Sequence, residues 1–170
     1  MKNKAAQRTS EVHFIEVWDE RFNKLEETVK NKFIIKNEME IKAKQRNIAF
    51  WIVTGLLVLG MLSGGIAQLV RAKPNVEGTI KLGYPIYIMS ILGVWKMLGV
   101  IVLLIPKFKL VKEWAYAGFF FAMSGAVISH LASGYGFIDF AAPLTFLILT
   151  VLSWWLRPDN RKLSYSSLTE

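Results

Sequence analysis

The sequence predicts an all-α integral membrane protein: a bundle of four transmembrane helices, both termini in the cytoplasm, preceded by a charged amphipathic helix. Three observations carry this. The 170 residues are 53% hydrophobic, with a mean hydropathy of +0.34 that coexists with a formal net charge of +8, too apolar for a soluble basic domain. The excess is concentrated in four apolar blocks, residues 49–70, 84–105, 114–133 and 138–156, each near the ~20 residues a helix needs to cross the hydrocarbon core. Lys and Arg are distributed unequally between the two sets of connecting segments.

Residues 1–48 read as a cytoplasmic helical extension. They hold 11 Lys or Arg and 8 Asp or Glu, and Ile15, Trp18, Phe22, Leu25 and Val29 follow the 3-4-3-4 spacing of a coiled-coil seam. The repeat ends where Lys32 and Lys36 take the next seam positions. Thr9 or Ser10 suits a helix cap, with Glu11 near the positive helix end. Such a helix docks a partner, lies on the membrane surface, or is simply solvated. Met39 also reads as a plausible start shortly before the first span, which makes the segment ahead of it an extension the membrane domain does not need. A cleavable leader is not expected, because the first apolar block begins only at Ala49.

Residues 49–157 form the membrane domain. A soluble four-helix bundle would keep charged outer faces, whereas residues 52–67 carry no charge on any side. Lys42, Lys44 and Arg46 precede the first block, Lys107, Lys109 and Lys112 separate the second from the third, and Arg157, Arg161 and Lys162 follow the fourth. The other side has only Arg71, Lys73 and Lys81, so the positive-inside rule places both termini in the cytoplasm and residues 158–170 in a cytoplasmic tail. Trp51, Trp114, Trp154 and Trp155 fall at the inner boundary and Tyr84, Tyr87 and Tyr135 at the outer one, as interfacial belts require. The expected setting is a multi-pass protein of the bacterial cytoplasmic (inner) membrane.

Polar residues inside the blocks mark the candidate site. Lys96 lies mid-block, where an ammonium costs roughly 2.5–3.5 kcal/mol even on lenient insertion scales. Its candidate partners are Glu113, Asp139, backbone carbonyls, or a bound anion or quinone-like carbonyl. His130 and Asp139 flank the turn between the last two blocks, where an imidazole–carboxylate contact is geometrically reasonable. Small residues suit close helix packing: Gly60 with Gly64, Gly93 with Gly99, and the stripe Trp114, Gly118, Ala122, Ala126, His130, which would turn His130 into the bundle. Without cysteine the chain supplies no disulfide relay, iron–sulfur cluster or thiolate nucleophile. With His13 and His130 alone it supplies no buried bis-histidine haem site, and neither a phosphate-binding glycine loop, a serine-nucleophile elbow nor a metal site is read from it.

The stretch "LGYPIYIMSILGVWKMLGVIVLLIPKFKLVKEWAYAGFFFAMSGAVISH" resembles the DoxX-like family, with its Lys in the second span, its Pro ending that span, the "KEWAYAGF" entry to the third and the Ser-His near its close. The resemblance covers roughly residues 49–157. It implies a four-helix membrane bundle and makes Lys96, Glu113, Trp114, Tyr116 and His130 the positions of interest. Related DoxX and DoxD proteins are associated with quinone-linked oxidation of sulfur compounds. The expected role is thus a non-haem subunit of a quinone-linked membrane oxidoreductase, with a quinone as the possible cofactor and a redox partner or a second copy alongside the lipid bilayer; nucleic acid is not an expected partner. A small-solute transporter and a membrane assembly protein are the alternatives.

The absence of native cysteine gives the orientation a direct test: a cysteine at Asn75 should label from outside intact cells, and one at Lys109 only after permeabilisation. The reverse pattern overturns the orientation.

Overall fold

The computed structural model describes residues 2–163, with side chains for Trp18 and from Arg21 onward. Among these residues all regular structure is helical: α1 (Lys2–Leu69), α2 (Lys73–Lys81), α3 (Tyr87–Leu104), α4 (Lys109–Ala132), α5 (Phe137–Leu156) and a 3-10 turn, Asp159–Arg161. Four segments are long and apolar enough to cross a membrane: Arg21–Leu69 of α1, and the whole of α3, α4 and α5. The expected all-α membrane bundle is the observed architecture.

The chain divides into two compact units, Met1–Lys44 and Gln45–Glu170. The described residues of the first are helix alone. No Gly or Pro occurs before Gly55, so nothing in the sequence breaks the helix, and α1 passes through Thr9 and Ser10 instead of starting there. Its Phe22, Leu25 and Val29 are exposed, and its ion pairs Lys36–Glu40 (4.0 Å) and Lys42–Glu38 (3.9 Å) lie on the surface, where such pairs contribute little. Ile15, the first seam position, lies outside the described side chains.

The second unit has a core drawn from all four spans. Leu57 and Met61 of α1, Val100 and Leu103 of α3, and Tyr116, Phe119 and Met123 of α4 are buried together, with Phe146, Leu147 and Leu149 of α5 packed against them. Close approach is bought by glycine. A Cβ at Gly60 would overlap the Phe146 ring, one at Gly99 would lie 2.6 Å from the Phe119 ring, and one at Gly93 would meet Leu69 at 2.8 Å and the Gly65 carbonyl at 3.0 Å. Helices in lipid associate through such shape fitting, since no hydrophobic effect drives them together.

Proline and a left-handed residue set the helix limits. Pro106 holds Ile105 extended (φ −65°, ψ 132°) and stops α3. Phe108 adopts a left-handed conformation (φ 63°), so α4 starts at Lys109, a turn ahead of the apolar block expected from Trp114. Pro85 likewise delays α3 to Tyr87. The segment between the first two apolar blocks contains α2, started by Pro74 in its first turn, a favourable place for a residue without an amide hydrogen.

Gly93 and Gly118 separate two roles for glycine, because nothing lies within 4 Å of a Cβ at Gly118. Gly93→Ala should destabilise the bundle by about 1–3 kcal/mol, the usual cost of overpacking, whereas Gly118→Ala should leave the melting temperature in detergent unchanged or raised. Equal melting of the two variants contradicts this packing.

Candidate functional site

One end of the second unit concentrates polar contacts. Tyr116 of α4, Ser153 of α5 and Thr54 of α1 join their hydroxyls, Tyr116 Oη to Ser153 Oγ at 2.8 Å and Thr54 Oγ1 to Ser153 Oγ at 2.7 Å. All three residues are buried, so each hydroxyl replaces a lost water contact with a partner on another helix. One turn nearer the helix ends, Glu113 accepts from Arg157 Nη2 at 2.7 Å and from Trp154 Nε1 at 2.8 Å. Arg157 donates Nε to the Trp154 carbonyl and lies over the Tyr116 ring, 4.8 Å from its centroid. Arg161 caps the end of α3 through the Leu103 carbonyl (3.3 Å) and lies 4.6 Å from the Trp51 ring centroid. Arg46 and Lys162 both pair with Asp159, at 3.1 and 3.2 Å. The Arg46 hydrogen bond, followed by that from Lys162, holds the Asp159 carboxyl below the usual carboxylate range.

Between α3 and α4 lies a cavity of about 400 Å³. Small residues, Gly99, Ala115, Gly118 and Ala122, form part of its wall, and Trp95 and Trp114 flank it. Lys96 is the one charged residue in that lining. Its stem packs against α1, where a Cβ at Gly65 would lie 3.2 Å from Lys96 Cβ and one at Gly64 would lie 3.9 Å from Lys96 Nζ. Among the described residues Lys96 makes no hydrogen bond or ion pair.

This arrangement reassigns several expected contacts. Glu113 does not pair with Lys96; its oxygens accept instead from Arg157 and Trp154 at the bundle end. Asp139 is exposed in the first turn of α5, and among the described residues no ion pair joins it to Lys96 or to His130. His130 Nδ1 instead contacts the Ala126 carbonyl at 2.8 Å, and its ring meets Tyr135 edge-on at 6.0 Å. A histidine near a helix end finds a carbonyl one turn back closer than a side chain across a turn. The Trp114–Gly118–Ala122 part of the stripe lines the cavity and leaves Trp114 exposed, while Ala126 and His130 are half-buried beyond it. Gly60, Gly93 and Gly99 pack helices closely, as their spacing suggests, and Gly64 faces the Lys96 ammonium.

In the sequence Lys112, Arg157 and Arg161 stand only as topology markers, and no motif singles out Thr54 or Ser153, though each is a hydroxyl near the charged end of its span.

Four apolar membrane-length helices around a shared core, with buried polar contacts and an α3–α4 cavity, define a multi-pass helical membrane protein. Within that class the chain belongs to the DoxX-like family, whose model matches residues 52–153. No curated protein matches the chain significantly. No solved structure does so either.

The Glu113–Arg157 contact is the energetic centre of this end. Glu113→Ala strands a guanidinium that is 3% exposed, and the loss should be about 3–5 kcal/mol. Adding Arg157→Met should restore part of it, read as melting in detergent. A single variant as stable as the parent contradicts this role.

Proposed function

We propose that this DoxX-like protein is a binding subunit of a bacterial inner-membrane redox system, and that the α3–α4 cavity receives the head group of a lipid-soluble quinone. The observation that carries the proposal is the cavity itself: about 400 Å³, apolar on most sides, with one ammonium-bearing residue, Lys96, in its wall. Pockets for small apolar ligands combine hydrophobic and aromatic walls with few polar groups that fix orientation. A ring bound there would have Trp95, Trp114 and the small residues Gly99 and Gly118 in its walls, and a quinone carbonyl would supply the acceptor that the Lys96 ammonium does not find among the described residues.

The chemistry asked of this chain is limited to binding. Lys96 donates a hydrogen bond to a carbonyl oxygen, the tryptophans orient the ring, and the surrounding apolar residues exclude water. Electrons reach and leave the quinone through a partner, because no side chain in the cavity wall is itself a redox centre. Gly64 presents no side chain to the Lys96 Nζ, which lies 3.9 Å from where its Cβ would be.

Addition of a short-chain quinone to the purified protein should quench tryptophan fluorescence saturably, and Lys96→Met should weaken binding by about tenfold, the worth of roughly 1.4 kcal/mol of hydrogen bonding to a charged group. Since no partner of Lys96 is left stranded, the Met variant should melt at the same temperature or higher. Unsaturable quenching, or identical binding by the Met variant, defeats the proposal.

A further inference from the structure

At the charged end of the second unit, cations outnumber carboxylates. Arg46, Lys112, Arg157, Arg161 and Lys162 gather there against Glu113 and Asp159. Asp159 is engaged by Arg46 and Lys162, and Glu113 by Arg157. Neither carboxylate remains for Lys112 or Arg161. Lys112 is 1% exposed and its Nζ has no hydrogen-bond partner. Arg157 is buried almost as deeply; it uses Nη2 and Nε, while its Nη1 is buried and unpartnered.

Two unsatisfied cationic donors therefore come from two helices. Lys112 lies one turn before Tyr116 on α4, and Arg157 stacks on the Tyr116 ring, so both occupy the same side of that helix. Arg161, half-buried beside Trp51, is close enough with Arg157 to act on Lys112 electrostatically. Burying like charges without donors satisfied is doubly unfavourable: each loses hydration, and each repels the other. The start of α4 adds to the positive potential, for no side chain caps its first-turn amides.

We propose that Lys112, Arg157 and Arg161 form a binding site for a phosphoryl anion, either the headgroup phosphate of an anionic lipid or free inorganic phosphate. The donor set matches that chemistry. The guanidinium of Arg157 offers Nη1 and that of Arg161 the donors not used on the Leu103 carbonyl, in the planar geometry that phosphate oxygens accept. Lys112 supplies a buried, unpartnered point charge. Glu113 stays bound to the far nitrogen of Arg157, which orients the guanidinium and keeps the site from carrying three uncompensated charges. Trp51 and Trp154 stand on either side, a pair of boundary aromatics of the sort found where helices meet headgroups, and basic pockets between spans recognise acidic headgroups in this manner. The site is separate from the α3–α4 cavity and does not depend on what that cavity binds.

The test is thermal melting of the full chain, purified in a neutral detergent and delipidated. One arm titrates inorganic phosphate against sodium chloride of matched ionic strength. The other compares nanodiscs of phosphatidylcholine alone with nanodiscs containing phosphatidylglycerol. A saturable rise in melting temperature with phosphate beyond chloride identifies a free anion; a rise with phosphatidylglycerol and not with phosphate identifies the lipid headgroup. Either supports the proposal if Lys112→Met and Arg161→Gln each weaken the effect at least tenfold, the rise being read against each variant's own melting temperature without the probe. Should Lys112→Met not fold, Lys112→Arg keeps the cation and must retain the response. No rise with either probe overturns the site, as does an unchanged response in Lys112→Met and Arg161→Gln, or a folded Lys112→Arg that no longer responds.

Discussion

The contact on which the second unit most depends is the hydrogen-bonded ion pair between Glu113 and Arg157. An arginine cannot shed its proton, so a guanidinium held almost entirely out of water must have its charge answered by the protein or a ligand. Glu113 answers it at 2.7 Å and holds Trp154 with its second oxygen. Because Arg157 follows directly on α5 and Glu113 lies in the early turns of α4, the pair fixes the rotation of both helices about their axes. That rotation turns Tyr116 toward Ser153, and Ser153 toward Thr54 of α1. A chain of local contacts thus aligns three spans at one end, which is valuable in a membrane, where apolar surface alone does not specify how helices face each other.

Toward the middle of the bundle the same helices obey a different constraint. Where a glycine meets a ring or a backbone carbonyl, as Gly60 meets Phe146 and Gly93 meets Gly65, the helices close tightly. Where small residues meet no bulky partner, as at Gly118, the surface hollows and a cavity results. Gly99 takes part in both, touching the Phe119 ring and lining the cavity edge. Phe119 therefore acts as a spacer: by filling the groove at Gly99 it keeps α3 and α4 from collapsing onto the space beside Lys96.

Which of these features a reader of the sequence alone can find follows from how local their causes are. The spans were legible because a membrane helix needs about 20 apolar residues in a row, whatever its neighbours do. Their ends were less so: Phe108 in a left-handed conformation lets α4 begin at Lys109, and nothing in a phenylalanine announces that. Lys96 stands out because it breaks an apolar run, yet the sequence leaves its several candidate partners open, since depth along a span does not reveal which way a side chain rotates about the helix. Arg157 was read only for its charge and side of the membrane. Its burial arises from contacts to residues 113 and 116, forty positions upstream, and no spacing rule links them. Conversely, Gly60 and Gly93 could be named from spacing because a small residue on a membrane helix has few other uses.

Lysine and arginine are distributed in a way that follows from their chemistry. Arginine sits at the bundle end, where carboxylate, carbonyl and aromatic faces are all within reach and a fixed charge can be answered several times over. Lys96 sits beside the cavity, where no carboxylate pairs with it among the described residues. A guanidinium at position 96 would need permanent compensation and would tie the cavity wall to whatever supplied it. An ammonium on a flexible stem has other options: it can turn toward a ligand, reach water or surrender a proton. The unpaired state of Lys96 is thus the condition that leaves it available to a ligand, while the Glu113–Arg157 ion pair holds α4 and α5 together at the bundle end.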